Sequence, residues 1–304
     1  GIYLEDQFPI SQKAAIKLTA SIRFHANKVA EAAGLQSLQI FYPDMTDTKN
    51  RLLKSFSVNY NRTHDKIVYG FGVGYGERAP SVSEGYGFYL YNSNDFFDYI
   101  GNPELKNEKS FEGNFSFGFK TGRLSSKVSA SLFYIQDYII GNVNENILPM
   151  TIGASGVKIY EGIGHAVIFN TDLNLEYKIS DHWNWKTLLA YTAGKESYGN
   201  NLPFISPLRY SGSLQFKKDK ALVGVGVSGN LAQDKFAVVY GETKAADYVV
   251  FNIHAGYSFY VNNNRLNLQT GIENLFDSYY TTFSDWNGIP RMGRNFFVNL
   301  SYVF

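Results

Sequence analysis

From Asn295 to Phe304 the chain alternates, with Phe297 and Val303 as the exceptions. Phe296, Val298, Leu300, Tyr302 and Phe304 share one face of an extended segment, and Asn295, Asn299 and Ser301 share the other. Period two sends successive side chains to opposite faces, so this is a strand with one wholly apolar surface and one that is largely polar. Such a strand is rare as the last element of a soluble domain and common as the last element of a transmembrane barrel. The rest of the chain is therefore expected to repeat the pattern.

It does. Ile16, Leu18, Ala20, Ile22 and Phe24 oppose Lys17, Thr19, Ser21, Arg23 and His25. Tyr69, Phe71, Val73 and Tyr75 oppose Gly70, Gly72, Gly74 and Gly76, and Phe115, Phe117 and Phe119 oppose Asn114, Ser116 and Lys120. The same reading covers Leu208 to Lys217, Val249 to Phe259 and Leu266 to Glu273. With Tyr 23, Phe 24, Gly 28 and only Pro 8, the composition favours strands and turns over helices. Cys 0 removes disulfide and thiolate chemistry, and a net charge of +1 without basic clusters along the sequence gives no reason to expect a nucleic-acid partner. No apolar run reaches the roughly 18 residues of a transmembrane helix. A mean hydropathy of −0.21 is compatible with a barrel, in which only alternate residues meet lipid.

The connections alternate in length. Short ones fall at Ser11–Lys13, Thr63–Lys66, Gly122–Ser125, Ser180–His182, Lys218–Lys220 and Asn262–Asn264. Long ones fall at Ala30–Asn50, Pro80–Asn107, Asn142–Val157, Gly194–Pro207, Ala232–Asp247 and Phe276–Met292. One rim of tight turns and one of large loops is the arrangement of outer-membrane barrels. The expected fold is all-β, an antiparallel transmembrane β-barrel contributing about thirteen strands, the first at Ile2 to Phe8. Since such barrels have an even number of strands, residues 1–304 are read as the C-terminal portion of one larger barrel domain.

Several segments resemble the TonB-dependent outer-membrane receptors. Asn274-Leu275-Phe276-Asp277, followed by Gly293-Arg294-Asn295-Phe296, is similar to the elements that flank the last extracellular loop in that family. Arg78-Ala79-Pro80 with Glu84, then Gly101-Asn102-Pro103-Glu104-Leu105 with Glu108, resembles its R-x-P and G-N-P-x-L-x-x-E elements. Ile2-Tyr3-Leu4-Glu5-Asp6 is similar to its mid-barrel strand. The resemblance implies a barrel of about 22 strands around an N-terminal plug. It also implies active uptake of a scarce nutrient across the outer membrane, with an iron chelate (siderophore or haem) foremost and cobalamin, copper, zinc or an oligosaccharide behind it. Capture on extracellular loops would be followed by plug rearrangement driven by TonB. Implied partners are outer-membrane lipid and lipopolysaccharide, the plug and remaining strands, TonB, and the barrel assembly machinery; no cofactor and no enzymatic activity are expected. A transport-inactive scaffold and a passive porin are the alternatives.

Among candidate site residues, Gly70, Gly72, Gly74 and Gly76 leave room on the luminal face for a plug or loop, or relieve curvature in a barrel strand. Tyr86, Tyr89, Tyr91, Asn94, Phe97 and Tyr99 give the Pro80–Asn107 loop contact area and hydrogen-bonding groups suited to an amphipathic ligand, and part of that set equally suits an interfacial aromatic belt. His25, His165 and His254 with Met45, Met150 and Met292 are the possible metal ligands, whereas His64 and His182 fall in short turns exposed to solvent. Phe304 is the candidate assembly signal. Glu84, Asp95, Asp98 and Glu108 are loop carboxylates with no evident nucleophile beside them.

Overall fold

The computed structural model describes residues 1–261, 264–285 and 288–303. The candidate assembly residue Phe304 and part of the Asn262–Asn264 turn lie outside the described residues.

The wall begins with β1 (Ile2–Ser11), β2 (Ala14–Lys28), β3 (Thr48–His64) and β4 (Ile67–Arg78), with a short helix α1 (Ala32–Gln39) in the β2–β3 loop. The next long loop carries a helical turn α2 (Val82–Tyr86) and two small strands, β5 (Leu90–Asn92) and β6 (Phe97–Ile100). The wall continues through β7 (Glu108–Lys120), β8 (Leu124–Asn144), β9 (Gly156–Lys178), β10 (Trp183–Glu196) and β11 (Arg209–Lys218). It ends with β12 (Ala221–Asn230), β13 (Tyr248–Val261), β14 (Asn264–Glu273) and β15 (Asn295–Val303). Thirteen of these strands follow one another antiparallel in sequence order, and the sheet is not closed on itself.

Register makes the alternation continuous across strands. Phe56 lies opposite Tyr75, Tyr75 opposite Phe111 and Phe111 opposite Tyr134, all on the outward apolar face. Inward residues are joined by polar contacts, such as Thr19 Oγ1 to Ser57 Oγ and Ser21 Oγ to Ser55 Oγ, each 2.7 Å. Such rows hold register, because a one-residue slip would turn every aromatic into the lumen. The tight turns use residues that tolerate positive φ, Asp65 at 50° and Asp219 at 51°.

The expected alternation of short turns and long loops holds. What period two does not reveal is that the long loops contain structure. With the wall exposed on both faces, the buried apolar side chains gather at the long-loop rim, where Ile100, Val157, Ala166 and Leu202 have no exposure at all. Ile140, Ile163, Ala237 and Tyr240 form a small core there.

Candidate functional site

The β4–β7 loop folds back onto the rim and is held at both ends. Arg78 and Glu108 sit opposite each other on β4 and β7, and Arg78 Nε donates to Glu108 Oε2 at 2.6 Å. The same guanidinium forks onto Glu84, with Nη1 to Oε2 at 2.7 Å and Nη2 to Oε1 at 3.1 Å. Glu84 in turn closes a capping box at the start of α2: it accepts from Ser81 N at 2.6 Å, while its own N–H donates to Ser81 Oγ at 3.2 Å. Burial pushes the Glu84 carboxyl up, but the Arg78 charge and the Ser81 N–H outweigh this and hold it below its ordinary value. The second oxygen of Glu108 accepts from the backbone N–H of Ile139 on β8 at 2.8 Å. One carboxylate thus ties the loop base to two wall strands.

Gly101 closes the other side. Its N–H donates to Gly87 O at 2.7 Å, and a Cβ there would run into the backbone of Tyr86 and Gly87. Asn102 N donates to Glu84 O at 2.8 Å, and Pro103 and Leu105 are buried behind it.

Between these ends, β6 lies parallel to Gly156–Ile159 on the free edge of β9, pairing Phe97 with Gly156 and Ile100 with Ile159. The β8–β9 hairpin rises beyond β10, whose last wall pairing is Glu196 with Ala166, and the loop strand caps the edge so exposed. Lys158 is the polar centre of this contact. Its Nζ donates to Asp95 Oδ2 at 2.7 Å and to Tyr240 O at 2.8 Å, and lies 4.5 Å from the centroid of the Phe97 ring. Tyr99 donates to Asp95 at 2.6 Å, and burial together with that carboxylate raises its hydroxyl, so it stays a donor. Asp98, fully buried, accepts through Oδ2 from the N–H groups of Met150 and Thr151, both at 2.8 Å.

Below the docked loop lies a groove of about 590 Å³, lined by His25, Lys28, Leu38, Val82, Tyr86 and Phe88 among others. His25 Nε2 and Tyr86 Oη are both buried there without a hydrogen-bond partner. An unpartnered polar atom costs roughly 1–3 kcal/mol unless something arrives to satisfy it.

The family is decided by a match over residues 1–275 to the model described as TonB dependent receptor-like, beta-barrel. The chain belongs to this TonB-dependent receptor barrel family. Among solved structures it resembles the copper transporter OprC, with 21% identity, a TM-score of 0.83 and coverage of 99% of this chain and 46% of that one. It also resembles the ferric enterobactin receptor PfeA of Pseudomonas aeruginosa (14% identity, TM-score 0.68, 99% and 53% covered). The siderophore receptor PirA of the same organism follows (13%, 0.65, 98% and 55%). The chain thus spans about half the length of these structures. No curated protein sequence matches it.

For a TonB-dependent receptor barrel, the positions of the sequence candidates are informative. Tyr86 lines the groove, while Tyr89 packs with Phe41 and Phe88 at centroid distances of 6.1 and 5.1 Å. Phe97 and Tyr99 surround Lys158, Tyr91 is exposed, and Asn94 sits in the β5–β6 turn. The motif residues hold loops: besides Arg78, Glu108 and Gly101, Asn274 (φ 50°) donates to Ser278 O at 2.8 Å and accepts from Ser278 N at 2.8 Å. Asp277 accepts from Arg294 N at 2.7 Å, and a Cβ on Gly293 would crowd that same carboxylate. Leu275 donates its N–H to Phe251 O at 2.8 Å, and Phe276 meets the Phe251 ring edge-on at 5.4 Å.

The glycine row divides in two. The space beside Gly70 and Gly72 is taken by the amides of Asn61, Asn59 and Asn114, whereas Gly74 has only ordinary contacts and Gly76 faces open space. Met150 and Met292 are exposed, His165 stacks on Tyr134 at 5.0 Å, and His254 packs over Gly224. Among the described residues, no three His, Asp or Glu side chains converge. Lys158 carried no sequence signal, being a lysine between Val157 and Ile159 whose partners lie in other loops.

Proposed function

We propose that this chain forms the wall and the cargo-capturing rim of an active outer-membrane importer, and that its cargo is an iron chelate. The observation that carries this is the groove beneath the docked β4–β7 loop, apolar and aromatic in lining, with His25 Nε2 and Tyr86 Oη unpartnered. A cavity of this size and lining suits a drug-sized organic molecule held by a few polar contacts. A chelate brings its own metal ligands and needs only such contacts from the wall. Transport itself would fall to the plug and to TonB, and the barrel has no catalytic role in this reading.

The test is binding of ferric enterobactin and of Cu(II) to the full-length receptor, in wild type and in His25→Phe and Tyr86→Phe variants. Chelate binding weakened about tenfold by either substitution supports the reading. Saturation by Cu(II) alone, or chelate binding indifferent to both substitutions, overturns the cargo assignment. Uptake that persists in cells whose inner membrane has been de-energised would favour a porin.

A further inference from the structure

The charges of this chain are sorted by rim. Lys13 lies in the first short turn, Arg62 and Lys66 flank the second, and Lys120 and Arg123 border the third. Lys178 precedes the fourth, and Lys217, Lys218 and Lys220 surround the fifth. All are exposed, and the acidic residues beside them are few, chiefly Asp65, Asp181 and Asp219. Since the whole chain carries only +1, this excess is balanced elsewhere, notably on the opposite rim by residues such as Asp44, Asp47, Glu104 and Glu145.

Two further observations give the sorting a direction. Lys120, Lys178 and Lys217 each follow an outward aromatic, Phe119, Tyr177 and Phe216, so period two turns them toward the lumen rather than the lipid. Deeper in the lumen some cations are matched, Lys17 with Glu5 at 2.8 Å and Lys186 with Glu176 at 3.7 Å, while Lys127 makes no ion pair among the described residues. At the mouth, Lys13 reaches Asp65 at 3.4 Å, but Lys66, Lys120, Arg123, Lys178 and Lys217 make no ion pair among the described residues.

We infer that the short-turn rim is a docking collar for an acidic polypeptide segment at the periplasmic mouth of the barrel. Short turns are periplasmic in such barrels. Successive turns are two strands apart, about 10 Å at 4.8 Å per strand. A small anion would engage one turn only. A peptide in the polyproline II conformation, with three residues per turn and a rise of about 3.1 Å, brings every third side chain to the same face and so to the next turn. Unpaired cations around a low-dielectric mouth also steer an anionic partner toward it.

The test uses the full-length receptor in detergent micelles and a peptide of about twelve residues with glutamate at every third position, beside its glutamine counterpart. The expected result is binding of the glutamate peptide that weakens with salt and falls about tenfold in a Lys120→Gln/Lys178→Gln/Lys217→Gln variant. A Lys49→Gln/Lys106→Gln/Lys235→Gln variant of the opposite rim should bind normally. Because all six lysines are exposed, heat-modifiable gel mobility should show every variant folded. No peptide binding, equal binding of the glutamine peptide, or equal loss in the opposite-rim variant overturns the proposal. Retention of phosphatidylglycerol by wild type and its loss from the collar variant, without peptide binding, would reassign the collar to lipid.

Discussion

Arg78 and Glu108 face each other across the last rung of the β4–β7 pair, and their 2.6 Å contact is the hinge on which the β4–β7 loop is hung. Glu108 is only 10% exposed and also receives the Ile139 N–H, so losing Arg78 leaves a half-satisfied carboxylate against two strands. Arg78→Ala should destabilise the docked loop by about 2 kcal/mol, the scale of a hydrogen bond to a charged group. Hydrogen exchange should show faster opening of residues 82–100 while the wall amides stay protected.

The Lys158–Asp95 pair is far more deeply buried, with side chains 2% and 1% exposed. Lys158→Met leaves Asp95 charged and unpaired and should cost about 3–5 kcal/mol, whereas the double change with Asp95→Asn should recover much of it. Protease sensitivity of the β5–β6 segment in the two variants measures the difference. Equal sensitivity would show that Lys158 acts by packing on Phe97 and not by charge.

Glu84 gives the loop a pH dependence whose sign follows from its depressed folded-state value. Stabilisation from this group is complete above the ordinary glutamate value of 4.5 and is lost as pH falls through the lower folded-state value. The loop should therefore stay closed at pH 7 and loosen below about pH 4. A Glu84→Gln variant should be looser at neutral pH and change less on acidification, as read by hydrogen exchange at α2.

On the wall, Phe117→Arg should impair insertion by roughly 2–4 kcal/mol if its depth is near the midplane. Ser116→Arg, one residue away on the wet face, should be much milder. Folding into lipid vesicles under urea titration distinguishes them, and equal effects would contradict the facing read from the alternation.

The wall was legible because period two is written into each strand separately: the Tyr69–Tyr75 alternation needs no partner to be seen. Arg78, Gly101 and Glu108 stood out as family elements, yet only the fold shows that they anchor a loop. Lys158 left no trace, since its partners Asp95 and Tyr240 come from two different loops and the strand beside it is an augmentation. The groove was legible by half. Tyr86 was a candidate for ligand contact and His25 only for metal, and nothing in their spacing says that β2 and α2 meet.

The parallel pairing of β6 with β9 also sets an order of dependence. Every wall strand pairs with its neighbour in the meander, so the wall can zip up through successive hairpins. Phe97, by contrast, waits for Gly156, and its edge exists only once the β8–β9 hairpin has risen. The loop strand is therefore conditional on the wall, whereas no wall pairing depends on the loop strand: shortening the β8–β9 hairpin would leave β6 without a seat and the meander intact.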